Sequence, residues 1–321
     1  MKIINLVENT EGVPGCACEH GLSFYIETDR HRLLFDLGPS EAALQNAGKL
    51  GIDLTQVDTV ILSHGHYDHS GGILPFARIN SDAKIYMQDS ADGAYYADDG
   101  EQKAEERYRY IGIDREIDLL PQVVKIHGDC RIDEELELFT VSQRTHMLPF
   151  SNRNLMEKKG DEYIRDSFSH EQFLVIHEQG KNVLLSGCAH NGILSILDAY
   201  REKLGSLPDL VISGFHLKKK TGYSDEEIAE IIGIAEELKK LPTKFVTCHC
   251  TGVPVYKVMK NTMGDRLGYV HSGEEIDVEG LLRSSEKVKK RRNTYMKWHR
   301  FFAWATVFSF AMTMVTGYKR K

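Results

Sequence analysis

The chain has no excess of positive charge: with a formal net charge of −7 and 27% charged residues, its bulk electrostatics give no reason to expect a nucleic-acid partner. Its six cysteines, Cys16, Cys18, Cys130, Cys188, Cys248 and Cys250, are too scattered over 321 residues to read as a disulfide framework. Reduced thiols in a cytosolic compartment are expected instead. Cys16-x-Cys18 and Cys248-x-Cys250 raise the question of a metal clip, although zinc pairs usually keep two or more residues between ligands. The opening MKIINLVENTEG lacks the basic start and long apolar centre of a secretory signal and reads as a first strand, so export is not expected. Gly-x-Ser-x-Gly and Gly-x-x-x-x-Gly-Lys-Ser/Thr are both missing, which removes the grounds for a serine triad or a P-loop. No internal repeat is visible.

What is present is enough apolar residue, 41%, to fill a sizeable core, and one large domain is expected. Short β-branched runs bounded by Gly, Asp or Asn recur at 2–7, 22–28, 32–37, 59–63, 84–87, 137–141, 173–177, 182–186, 210–213 and 244–247, as strands do. Helical periodicity is clearest at 40–50, 192–203 and 225–241. In the last, Ser224 or Asp225 can cap, with acids in the first turn and lysines in the last. These patterns predict an α/β protein with two mixed sheets packed face to face and helices outside. Two polar stretches, 89–122 and 143–166, read as long irregular insertions of the kind that form lids or binding loops.

The C-terminus changes character. Residues 281–300 form a basic linker, and 301–318, FFAWATVFSFAMTMVTGY, carry no charge. Eighteen residues at about 1.5 Å each span roughly 27 Å, close to a bilayer's hydrocarbon core. Trp298, Trp304 and the upstream cations suit an anchor that holds the body on the cytoplasmic face. The alternative is a terminal helix docked on an apolar groove or in an oligomer seam.

The densest chemistry is ILSHGHYDHSGG at 61–72. His64 and His66, two apart at a strand end, are expected on one side of the chain where one metal can take both. Asp68 and His69 follow, able to face a second ion. A single histidine reads first as a satisfied surface residue; four ligand-type side chains as H-x-H-x-D-H do not.

This motif resembles the signature of the metallo-β-lactamase superfamily. The resemblance covers most of 1–275, with FDLG at 35–38 similar to the strand-end aspartate-glycine that precedes the signature. EHGLS (19–23), SHEQ (169–172), SGCAHNGI (186–193), SGFHL (213–217) and CHCTG (248–252) look like the subgroup typified by 7,8-dihydropterin-6-methyl-4-(β-D-ribofuranosyl)aminobenzene-5′-phosphate synthase. The resemblance implies a four-layer αββα sandwich over 1–280. It also implies two metal sites whose further ligands follow later strands. His249 fits the last role, and His170 fits the third histidine of the first site by position. Cys188 stands where the wider family has its bridging aspartate, with His190 two residues later, so His170, Cys188 and His190 remain alternatives or partners. His216, before the lysines at 218–220, and His20 are expected to touch substrate, because imidazole and lysine favour an anion.

Two divalent cations about 3.5–4 Å apart share and ionise a water, with Asp68 as ligand and as the carboxylate that steers it. A thiolate donor tilts the metal towards zinc, with iron and manganese open. The expected function is hydrolysis of a small anionic ester, preferentially a phosphate ester. The alternatives are a transferase of pterin-type cofactor synthesis and a non-catalytic metal sensor.

Overall fold

In the first half of the chain, β1 (Lys2–Val7), β2 (Ser23–Glu27) and β3 (Arg32–Phe35) pair antiparallel. β3 then runs parallel to β4 (Thr59–Ile61) and β4 to β5 (Lys84–Gln88), with α1 (Ala42–Lys49), α2 (Tyr67–Ser70) and α3 (Ile73–Ile79) in the crossovers. Next come β6 (Tyr95–Asp98), β7 (Tyr108–Tyr110), β8 (Val123–Ile126), β9 (Cys130–Arg131), β10 (Leu136–Phe139), β11 (Leu155–Lys159) and β12 (Glu162–Arg165). The second half adds β13 (Phe173–Glu178), β14 (Lys181–Ser186), α4 (Ile193–Leu204), β15 (Leu210–Ser213), α5 (Asp225–Lys240), β16 (Lys244–Thr247), α6 (Val253–Met263), β17 (Leu267–Tyr269) and β18 (Glu275–Ile276). This computed structural model describes residues 1–101 and 106–283.

The strands form two mixed seven-stranded sheets, ordered β18-β1-β2-β3-β4-β5-β8 and β17-β16-β15-β14-β13-β10-β9. β4 (TVI) and β15 (LVIS) are buried along their whole length, which requires cover on both faces. On one face of the first sheet Leu34, Val60 and Ile85 pack with Ala43 and Ala47 of α1 and Phe76 of α3. On the second sheet Leu184, Val211 and Phe245 pack with Ile196 and Tyr200 of α4, Ile231 of α5 and Met259 of α6. Their strand neighbours Leu33, Phe35, Ile61, Leu185, Ile212 and Val246 are equally buried and by alternation point the other way, into the space between the sheets. The protein is thus the expected four-layer αββα sandwich. Met1–Val278 form one compact unit, and a second begins at Glu279.

The expected strands and helices are found with ends shifted by a few residues. Of the two capping candidates, Ser224 closes a capping box with Glu227 at the start of α5. The two polar stretches are not irregular. They supply a four-stranded antiparallel sheet ordered β12-β11-β6-β7. No apolar run announces it because tyrosines build it: Tyr108 stacks on Tyr163 at 3.7 Å between ring centroids, and Tyr96 meets both Tyr110 and Tyr163 edge-on. Tyr96 and Tyr110 stand directly opposite on paired strands and stabilise the sheet as cross-strand pairs do, while Tyr95, Ala97 and Leu155 of the same sheet pack with Ile111 and Phe168. Helix α6 (Val253–Met263) lies outside the three segments of clear helical periodicity.

Among the described residues no helix is long and apolar enough to cross a membrane. The apolar segment 301–318 and nearly all of the basic linker lie outside the described residues.

Candidate metal centre

Parallel strands bring distant residues to one edge. β3 delivers Asp36, β4 delivers Ser63 and His64, β14 delivers Cys188 and His190, β15 delivers His216, and β16 delivers His249 and Cys250. All lie past the carboxyl ends of their strands, where open α/β sheets place ligands. Asp36, Ala189, His216 and His249 hold left-handed φ values of 59°, 56°, 47° and 48°. Non-glycine residues rarely adopt this region, and strain of this kind concentrates at functional sites. Close packing is equally strict: a Cβ on Gly187 would lie 2.2 Å from Ser63 Oγ.

His64, His66 and His190 form the first group, with donor atoms within 4.8 Å of one another. His64 and His66 are not on extended strand as the spacing suggested. His66 N–H donates to His64 O at 3.0 Å, a tight turn that still brings the rings to 4.6 Å between centroids. Two of the three rings, His64 and His190, are held from behind. His64 Nδ1 donates to Ser63 Oγ at 2.8 Å, and that hydroxyl donates to Asp36 Oδ2 at 2.7 Å. His190 Nδ1 donates to Asn152 Oδ1 at 2.9 Å. With Nδ1 protonated, Nε2 of each carries a lone pair, and the two Nε2 atoms face each other at 3.3 Å. Burial, and then the neighbouring imidazoles, push the pKa of both rings well down, and burial holds His66 at about 3. His66 Nε2 is buried without a hydrogen-bond partner. Opposed lone pairs in a dry site repel one another, and a cation between them removes the conflict.

The second group gathers Asp68, His69 and His249. His69 Nδ1 donates to Asp36 Oδ2 at 2.6 Å and His249 Nδ1 to Asn9 Oδ1 at 2.9 Å, again leaving two Nε2 atoms 3.3 Å apart. Asp68 Oδ2 lies 3.5 Å from His249 Nε2 and 3.8 Å from His69 Nε2. Burial works against the Asp68 carboxylate, but His69 and His249 outweigh it and keep it ionised. Burial likewise opposes the His69 imidazolium, yet in the metal-free chain Asp36 and Asp68 raise its pKa to about 9, so its Nε2 must release a proton when a cation binds. His20 Nε2 approaches Asp68 Oδ2 at 3.6 Å.

Cys188 lies between the groups, its Sγ 3.2 Å from His69 Nε2 and within ligand spacing of His64. Burial raises its thiol pKa, with Cys250 alongside. These imidazole, carboxylate and thiol donors, with their rear nitrogens tied, fit divalent cations.

His170 is placed differently from its expected role. Gly65 N–H donates to its Nδ1 at 2.9 Å, so Nε2 carries the proton and donates to Asp166 Oδ2 at 3.1 Å. No lone pair is left for a cation, and the residue props the 64–66 turn. His216 lies beside His190 at 4.0 Å between centroids with the rings tilted by 49°, and its Nδ1 is buried without a partner. Of the three lysines beyond it, Lys219 is committed to an ion pair with Glu227 at 2.7 Å, while Lys218 is exposed beside Gly252.

Several residues that hold the candidate donors carried no sequence signal. Asn9 and Asn152 act alike: each accepts from a histidine Nδ1 and donates its own amide to that histidine's carbonyl, Asn9 to His249 at 3.1 Å and Asn152 to His190 at 2.8 Å. Buried Glu171 accepts the backbone N–H of His190 at 2.7 Å and of Asn191 at 2.8 Å. Glu8 accepts that of His249 at 3.0 Å.

The model of the metallo-beta-lactamase superfamily matches residues 17–214. An uncharacterised protein of Methanocaldococcus jannaschii is 29% identical over 279 residues, covering 85% of this chain and 98% of its own. The 7,8-dihydropterin-6-methyl-4-(beta-D-ribofuranosyl)-aminobenzene-5′-phosphate synthase of the same organism is 27% identical over 299 residues, covering 86% and 96%. Among solved structures, Tm1679, a metal-dependent hydrolase of the beta-lactamase superfamily, superposes with a TM-score of 0.72 at 29% identity over 87% of this chain and 99% of its own. The chain belongs to the metallo-beta-lactamase superfamily.

Proposed function

We propose that this protein is a metal-dependent hydrolase that uses a pair of divalent cations, zinc by preference, on a small anionic ester, in particular a phosphate ester. The observation that carries the reading is the pair of opposed Nε2 atoms, His64 with His190 and His69 with His249, each at 3.3 Å. Two such pairs with Cys188 between them are redundant for packing and suited to two ions. His64, His66 and His190 hold the first; Asp68, His69 and His249 hold the second. Divalent cations, when bound, supply Lewis acidity and an ionised water at neutral pH.

The chain's own residues do the rest. Asp36 orients histidines of both groups, directly at His69 and through Ser63 at His64. Asp68, ionised at the rim, both ligates and orients the attacking water. His216 presents an unpartnered nitrogen beside His190 and, with Lys218, supplies the polar and cationic contacts an ester anion needs. The thiol of Cys188 and the imidazoles favour zinc over harder ions.

A second reading, a group transfer in pterin-type cofactor synthesis, is supported by the relative of that name at 27% identity over 96% of its length. It uses the same metal ligands and differs in the acceptor.

The test is elemental analysis of the purified chain, with hydrolysis of a p-nitrophenyl phosphomonoester and diester before and after chelation. Two ions per chain and chelator-sensitive turnover are expected, with turnover and the first ion lost in His64→Ala and His66→Ala. A protein that binds no metal overturns both enzymatic readings. Metal without turnover, together with pterin fluorescence retained through purification, moves the assignment to the transferase.

A further inference from the structure

Residues 19–22 cross the mouth of the second group, fastened on both sides of His20. Glu19 N–H donates to Glu8 O at 3.0 Å, and Ser40 Oγ donates to Glu19 Oε2 at 2.6 Å. On the other side, Leu22 N–H donates to the carbonyl of Asp68 itself at 3.2 Å, and a Cβ on Gly21 would lie 2.4 Å from that same oxygen. The backbone that carries His20 is thus tied to the backbone of Asp68. It brings His20 Nε2 to 3.6 Å from Asp68 Oδ2, and the ring centroid to 5.1 Å from that of His249. Donor atoms of His20, Asp68 and His249 all lie within 4.8 Å of one another.

These spacings are those of a coordination shell. Ligands about 2.0–2.2 Å from a tetrahedral ion stand about 3.4 Å apart. Asp68 Oδ2 stands 3.5 Å from His249 Nε2 and 3.6 Å from His20 Nε2. Among the described residues His20 makes no hydrogen bond, although every other histidine of the two groups except His66 has its rear nitrogen held. Its side chain is 59% exposed, so neither packing nor a hydrogen-bond network accounts for its position over a carboxylate and an imidazole.

We propose that His20 is a protein ligand of the second cation, joining Asp68, His69 and His249. The proposal rests on the dinuclear reading above and extends it. Four protein side chains would then surround the second position, with Cys188 between the two, while the three histidines of the first leave the open position that a substrate needs.

The experiment uses the full chain, stripped by chelation and titrated with zinc and with cobalt, following heat and the cobalt absorption spectrum. Wild type is expected to take two ions in resolvable steps. His20→Ala should weaken only one step, by at least the roughly 10–100-fold that loss of even an outer partner produces, with an unchanged circular-dichroism melt of the metal-free protein. Free imidazole added to His20→Gly should restore that step and its cobalt bands, which a substrate-binding role would not do. Two unaltered steps in His20→Ala overturn the ligand assignment and leave the dinuclear reading standing. No binding by wild type overturns both.

Discussion

His69 and Asp36 share a hydrogen bond of 2.6 Å from Nδ1 to Oδ2, and neither side chain is exposed to solvent. The same carboxylate accepts Ser63 N–H at 2.7 Å and Ser63 Oγ at 2.7 Å, and through that hydroxyl it sets the tautomer of His64. One residue at the end of β3 thus holds donors of both proposed metal positions, as carboxylates behind ligating histidines do.

Asp36→Ala should therefore cost more than an ordinary core substitution. It leaves the Ser63 donors and a His69 ring raised to about 9 without their acceptor, a loss of about 3–5 kcal/mol for a broken buried charge pair. Both steps of the metal titration should weaken together. Chemical denaturation of the metal-free protein reads the first effect and calorimetric titration the second; a variant that weakens one step alone would show that Asp36 does not serve both groups.

The sequence carries this centre unevenly, for physical reasons. His64, His66, Asp68 and His69 are legible because one turn must supply four donors, and no packing role asks for H-x-H-x-D-H. His249 is legible because it follows an apolar strand directly. Between His170 and His190 spacing alone cannot choose. The proposed choice of His190 rests on Gly65 N–H, which consumes the His170 lone pair, and on Asn152, which frees that of His190. The asparagines are invisible because their partners lie 240 and 38 positions away and an isolated Asn reads as a turn residue. The sheets were readable from β-branched runs bounded by turn residues. The tyrosine-built sheet was not, because its stabilising pairs form across strands that show no apolar periodicity.

The two asparagine clamps separate the metal positions experimentally. Asn152→Ala frees the ring of His190 to rotate and should weaken one titration step about 10–100-fold, while Asn9→Ala does the same to the other through His249. Asn152→Asp keeps an acceptor for Nδ1 but loses the donor to His190 O, now 2.8 Å from the amide. It should hold metal better than Asn152→Ala and be less stable than wild type. If both alanine variants weaken the same step, the division of histidines between two ions is wrong.

At the other end of the sheets, His31 provides a pH test that leaves the metal centre untouched. It precedes β3, and its ring joins Asp58, before β4, at 2.8 Å through Nδ1 to Asp133, in the β9–β10 turn, at 2.6 Å through Nε2. Both partners are carboxylates, and a neutral imidazole has only one N–H, so the clasp between the two sheets is complete only as imidazolium. Partial burial lowers its pKa, but the hydrogen bonds and charges of Asp58 and Asp133 outweigh burial and raise it above 6.5. A group with a raised folded pKa stabilises fully below its unfolded value, and that stability is lost as pH rises through the folded one. The difference in Tm between wild type and His31→Asn, both chelated to remove metal linkage, should be largest near pH 6 and shrink steadily towards pH 9. A difference that stays constant over this range would mean that His31 packs rather than bridges, because a neutral ring would then hold the two sheets as well as a charged one.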